Sequence, residues 1–238
     1  MAVHFVSAGV VRDLRKRILD ARQQVSEQLE GDVSPERPEY WQRVFEDNAA
    51  AVLAVLPRVR LKPDYVVRYR FYGRRGADLL VRPFVARATT DVETIRQLID
   101  WHPPPDSVAP SLRSRADRDV DLLYRHFEYE ASTEGRFEYW LAMQEVWASA
   151  RWVHSTVIAD ADELRALTGD SGWEIDHPLE RCEPAIVWED GVARLAVPVL
   201  CRLEQQAIAL HQLEIHTDQR IEFVNAIPIA RGPRGYLI

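Results

Sequence analysis

The sequence predicts an α+β fold, with helices and strands segregated along the chain. Three observations predict it. Apolar residues recur at helical spacing from Arg136 to Ile158, among them Trp140, Trp147 and, nearby, Trp152. Residues 64 to 88 alternate as two arginine-rich strands around Gly73-Arg74-Arg75-Gly76. After residue 184, four apolar runs alternate with turn residues, which reads as an antiparallel meander.

Taken in order, Val11, Leu14, Ile18, Ala21, Val25 and Leu29 repeat at three and four. That spacing places them on one stripe of a helix over 10–29, closed by Gly31. A second helix carries Tyr40, Trp41, Val44, Phe45, Ala49, Val52, Val55 and Leu56 and ends at Pro57. The two form an antiparallel hairpin; the first stripe could instead pack on a second subunit. In the ribbon, Tyr65, Val67, Tyr69 and Phe71 face one way and Val66, Arg68, Arg70 and Tyr72 the other. Its partner strand, 78–88, contains Pro83, a residue suited to an edge or a bulge.

Thr90 and Glu93 open a short helix that stops at the prolines after His102. The Pro- and Ser-rich stretch 103–114 reads as a linker. It separates 1–102, the helical hairpin and arginine-rich ribbon, from 115–238, the Trp-rich helix and meander, unless the whole is one continuous domain. A helix is expected over 116–131, and the long Trp-rich helix follows. Asp160 and Glu163 form a capping box for a further short helix ending at Gly169. Strands are then expected over 184–188, 192–203, 206–215 and 221–229. Asp190-Gly191 supplies a tight hairpin turn.

Composition narrows the class of function. The chain has 238 residues, enough for a sizeable core, and a formal charge of −7. That charge argues against wholesale coating of nucleic acid. No apolar run approaches the length of about 18 residues that suggests a membrane span. The first residues lack a basic segment followed by an apolar core, so a cytoplasmic protein without membrane attachment is expected. Cys182 and Cys201 belong to no CxxC pair and read as free thiols, with a disulfide left open.

The distribution of charge is more informative. Residues 58–87 contain nine basic side chains and only Asp64 and Asp78 as acids, a net of +7 against −14 for the remainder. Arg68, Arg70 and Arg82 fall on one ribbon face with Tyr72 and Phe84 beside them, and Arg74 and Arg75 cap its tip. Guanidinium groups bind phosphate and carboxylate in bidentate fashion and stack on rings. Arg68, Arg70, Tyr72, Arg74, Arg75 and Arg82 are therefore candidate anion-binding residues, or else they pair with acids of neighbouring helices.

Other candidates are weaker. His154 lies in the Trp-rich stripe, as a general base or a core histidine. Glu214 and His216 share a strand face as a candidate acid and base. His126 with Glu130 is a helical spacing that chance also supplies, and the two arginines of Arg231-Gly-Pro-Arg-Gly could hold an anion or belong to a basic tail or a turn into the last residues. His211 and His216 point to opposite faces and make no ready metal site. There is no GxGxxG, no phosphate-binding loop and no nucleophile motif, so no metal or cofactor is expected.

These readings leave three functions. The leading one is a cytoplasmic, non-catalytic binding or adaptor protein that recognises a protein partner or an anionic ligand. One alternative is a nucleic-acid or nucleotide binder using Arg58 to Arg87, with nucleic acid or a phosphorylated ligand as partner. The other is an enzyme acting on an acidic substrate, with His154 or Glu214 and His216 in its pocket.

Overall fold

The fold is α+β: helices and a curled antiparallel sheet. The computed structural model describes residues 2–29, 38–72, 80–89, 123–149, 155–169, 172–202 and 205–235. The chain divides into two compact units that interleave in sequence. Unit 1 is Met1–Lys16, Ala131–Phe137 and Val153–Ile238; unit 2 is Arg17–Glu130 and Glu138–Trp152. The linker expected at 103–114 lies outside the described residues.

Unit 1 is built on a seven-stranded sheet. Its strands are β1 (Val3–Phe5), β6 (Ser155–Val157), β7 (Glu174–Ile175), β8 (Ala185–Glu189), β9 (Val192–Cys201), β10 (Gln205–Ile215) and β11 (Ile221–Arg234). The order is β1-β8-β9-β10-β11-β7, with β6 also on β9. The four expected meander strands are β8 to β11. Asp190 and Gly191 both take positive φ, 49° and 80°, as a two-residue turn with matching strand twist requires.

Strand β9 is central. It pairs with β10 along one side and with β8 and then β6 along the other. Its Ala193, Leu195, Val197, Val199 and Leu200 are correspondingly buried. Helix α4 (Ala161–Thr168) packs Leu164 into a cluster with Ile158, Cys182, Leu200, Ile208, Ile229 and Ala230. Burying a Leu, Ile or Val side chain fully contributes about 1.5–3 kcal/mol.

The start of α4 is held as the sequence suggests, with one shift. The Glu163 N–H donates to Asp160 Oδ1 at 2.8 Å, but Glu163 Oε2 accepts from the Ala159 N–H rather than from Asp160. The first half of α1 (Ala8–Leu29) adds to this. Arg15 donates to both Glu163 oxygens, at 2.6 and 2.9 Å, and to the Val157 carbonyl; Arg12 pairs with Asp160. The backbone bond from Glu163, followed by Arg12, holds the Asp160 carboxyl below its ordinary pKa.

In unit 2, β2 (Val59–Leu61) pairs with β5 (Phe127–Tyr129), and β3 (Tyr65–Tyr72) with β4 (Leu80–Arg87). Ala49 and Val52 of α2 (Pro38–Val55) and Leu56, the residue after the helix, are buried. Tyr69 is fully buried and donates its hydroxyl to the Val146 carbonyl at 2.7 Å. The expected α1 stripe is buried throughout: Val11, Leu14, Ile18, Ala21, Val25 and Leu29 are each at most 7% exposed. A second subunit is not needed to cover it.

Two expectations need correction. Residues 116–131 do not continue as a helix through their described part. A 3₁₀ turn at Tyr124–His126 gives way to β5, whose alternation buries Phe127 and turns Glu128 outward. The Trp-rich helix, α3 (Thr133–Ser149), starts a turn earlier than Arg136, capped by Ser132, and is shorter than expected. Ser155 to Val157 form β6 instead, where β-branched Thr156 and Val157 suit a pleated surface. The short strands β1, β2, β5 and β7 were not anticipated.

Gly232 fixes the C-terminal strand against Trp173. A Cβ at Gly232 would sit 2.7 Å from the indole ring. Gly232→Ala is expected to destabilise the protein by about 1–3 kcal/mol in urea unfolding, because the half-buried Trp173 ring, packed on the core, must move. Gly9→Ala in α1 meets nothing closer than 4.0 Å and should be neutral or stabilising by up to about 1 kcal/mol. Equal effects at the two sites would contradict this packing.

Candidate functional site

The ribbon register places Arg68 opposite Phe84, Arg70 opposite Arg82 and Tyr72 opposite Leu80, so the expected arginine face exists as a backbone arrangement. Its described side chains are engaged. Arg68 is largely buried and pairs with Glu46 of α2, which also accepts from Gln42. Arg82 lies over the Trp147 ring, 5.0 Å from its centroid. Phe84 is only 8% exposed. The side chains of Arg70 and Tyr72 lie outside what the structure describes, as do residues Arg74, Arg75 and His154 altogether.

Other cations of the basic segment are also committed. The Arg58 backbone N–H and guanidinium both reach Glu138 of α3, at 2.9 and 2.5 Å, and Glu138 has no exposure. Arg60 donates to Glu128 at 2.9 Å, and Lys62 to the Arg125 carbonyl at 2.8 Å. Between them lies a shallow depression of about 240 Å³ lined by Arg58, Arg60, Glu128, Tyr129 and Glu130. Its cations and carboxylates pair with one another, so it presents a balanced rather than a basic surface.

The proposed acid, Glu214 on β10, and base, His216 in the turn just after it, are held apart from each other's chemistry. Glu214 accepts from Arg194 at 2.9 Å, whereas His216 Nε2 contacts Glu222 at 3.1 Å. The His126 ring lies tilted against Tyr65, 4.5 Å between centroids, and burial, followed by Lys62 and Arg125, lowers its pKa. Burial also lowers that of His211, which meets the Phe223 ring edge-on. Arg231 is bidentate to Asp176, at 3.1 and 2.7 Å, and so ties β11 beside β7 rather than waiting for an anion. Burial pushes the Cys182 thiol up to about 11, so it remains a protonated core side chain at neutral pH. Among the described residues no cluster of three His, Cys, Asp or Glu could hold a metal. No described helix is long and apolar enough to cross a membrane.

One surface was missed by sequence reasoning. Residues 222–226 of β11 are all exposed, and they include Phe223 at 56% and Val224 at 55%. One side of β11 pairs with β10. On the other, β7 meets only Ala230 and Arg231. Among the described residues nothing pairs with that outer edge from 221 to 227. The register skips a residue between Phe223 and Asn225, leaving Val224 as a bulge. The adjacent pair Phe223-Val224 was the available signal, because it breaks the alternation of a half-buried strand.

Comparison with protein-family models, with curated proteins and with solved structures finds no match.

Buried carboxylates give unit 2 a testable pH response. Burial, opposed by Arg22, holds the Glu145 pKa above its ordinary value of 4.5, and burial does the same for Glu46 against Arg68. Such a carboxyl binds its proton more tightly when folded. Its contribution to stability is fully present below pH 4.5 and is lost as pH rises through the folded value. Glu145→Gln should therefore gain on the wild type as pH rises from 4.5 toward neutrality, measured by urea unfolding at each pH. A stability difference that is constant across that interval would contradict a raised pKa.

Proposed function

We propose that this chain is a cytoplasmic, non-catalytic binding protein that recognises another protein through the outer edge of β11. The observation that carries the reading is the exposure of Phe223 and Val224 on a strand whose outer edge has no described pairing from 221 to 227. Unpaired edges are templates for another strand, and stable folds usually blunt them with charge or cover. This one keeps adjacent apolar residues in water. Apolar side chains beside free main-chain donors and acceptors are what strand addition uses for affinity.

The competing readings draw less support from the same geometry. Recognition of phosphate needs guanidinium groups free to turn outward, and Arg58, Arg60 and Arg68 already face carboxylates. General acid–base chemistry needs groups converging on a substrate, and Glu214 and His216 each have another partner.

Photo-crosslinking in the source cells tests the reading. A crosslinkable residue in place of Val224 should yield a discrete protein adduct. The same residue in place of Leu19, which is 65% exposed on α1, should not. No adduct at 224, or identical adducts at both positions, would overturn the proposed interface.

A further inference from the structure

The open edge has defined ends. At one end the His216–Arg220 turn leads into β11, with backbone bonds joining His216 and Arg220 and joining Gln219 to His216. At the other, the Ile229 carbonyl already accepts from the N–H groups of Asp176 and His177, and β7 pairs just beyond. Pro228 has no N–H to offer an added strand. The dockable stretch is therefore residues 221–227.

Its two faces differ in chemistry. The β10 partners of Ile221, Phe223 and Ala226 are Ile215, Leu213 and His211. Leu213 and Ile215 are buried, so this face is apolar, and the Phe223 ring stands perpendicular to the His211 ring. The opposite face carries a row of charge across the sheet. Arg194 of β9 donates to Glu189 of β8 and to Glu214 of β10. Glu214 lies opposite Glu222 of β11. The row thus runs acid, base, acid, acid and ends on the edge strand. Like charges directly opposite one another destabilise a sheet, and an opposite charge on the next strand relieves them. His216 Nε2 lies 3.1 Å from Glu222, whose side chain is still 54% exposed.

We propose that β11 accepts, as an additional strand, an extended segment of another protein in which apolar residues alternate with lysine or arginine. The apolar residues lie beside Ile221 and Phe223, and a basic residue lies beside Glu222. This rests on the reading of β11 as a protein-binding edge and names the chemistry of its partner. A second copy of the chain fits less well. Residues 221–227 read Ile-Glu-Phe-Val-Asn-Ala-Ile, so a paired copy brings no cation within the docked stretch.

The test uses the full chain and two labelled synthetic probes. One alternates lysine with valine, the other glutamate with valine, and both are N-methylated along the far edge so that they stay monomeric. Fluorescence anisotropy should show saturable binding of the lysine probe, weakened about tenfold by Glu222→Lys. The same substitution should strengthen binding of the glutamate probe. Nuclear magnetic resonance shifts should concentrate on the amides of residues 221–227.

Binding indifferent to residue 222, or shifts centred elsewhere, would overturn the proposal. So would self-association in sedimentation that Val224→Pro abolishes, since the edge would then belong to a second copy. A surviving crosslink at position 224 with no preference for the lysine probe would end this proposal and leave the protein-binding reading standing. Loss of that crosslink would end both.

Discussion

A buried carboxylate must be met by a cation or by hydrogen bonds, because desolvation otherwise forces it to take up a proton. Unit 2 depends on this constraint. Glu138 has no exposure, and its two oxygens take the Arg58 backbone N–H and guanidinium. The one contact joins the start of β2 to α3. Glu46 with Arg68 links α2 to β3, and Glu145 with Arg22 links α3 to α1, but in these two pairs burial outweighs the cation and raises the pKa of the acid. Removing Arg58 leaves the Glu138 charge uncompensated, a loss that typically costs about 3–5 kcal/mol.

This use of arginine inverts the natural reading of the charge map. A segment with a net charge of +7 in an acidic chain invites an anionic ligand. Three of its arginines instead neutralise acids of the same fold: Arg58 on Glu138, Arg60 on Glu128 and Arg68 on Glu46. The acids come from sequence far from the basic segment, at separations of 80, 68 and 22 residues. Arginine suits the task, since its planar fork stays charged at any ordinary pH and meets a carboxylate with more than one N–H. Arg82 adds a second use, over the face of Trp147.

Local patterns carried much of the fold. The α1 stripe, the Asp190-Gly191 hairpin and the limits of β8 to β10 follow from periodicity and turn chemistry confined to a few residues. Elements of two or three residues were missed, since β1, β2, β5 and β7 are too short to show a period. The Trp-rich helix was drawn past Ser149 because Val157 and Ile158 continue its spacing, and only pairing with β9 makes 155–157 a strand. The candidate site was less legible for a related reason. Whether Arg68 faces water depends on Glu46, and whether Phe223 is exposed depends on which strand ends the sheet. Both are long-range facts. Glu214 ends up on β10 with His216 just past its end, and Arg194 and Glu222 decide what each can do.

Recognition is proposed at a sheet edge, and structural work falls to the arginines. Amide hydrogen exchange of the free protein tests that division most directly, because an edge strand leaves part of its backbone in water while a central strand does not. The account predicts that outward amides within residues 221–227 exchange far faster than those of residues 207–215, which are paired with both β9 and β11. Uniform protection of 221–227, at the level of β10, would show that the edge is covered within the chain and would contradict the account.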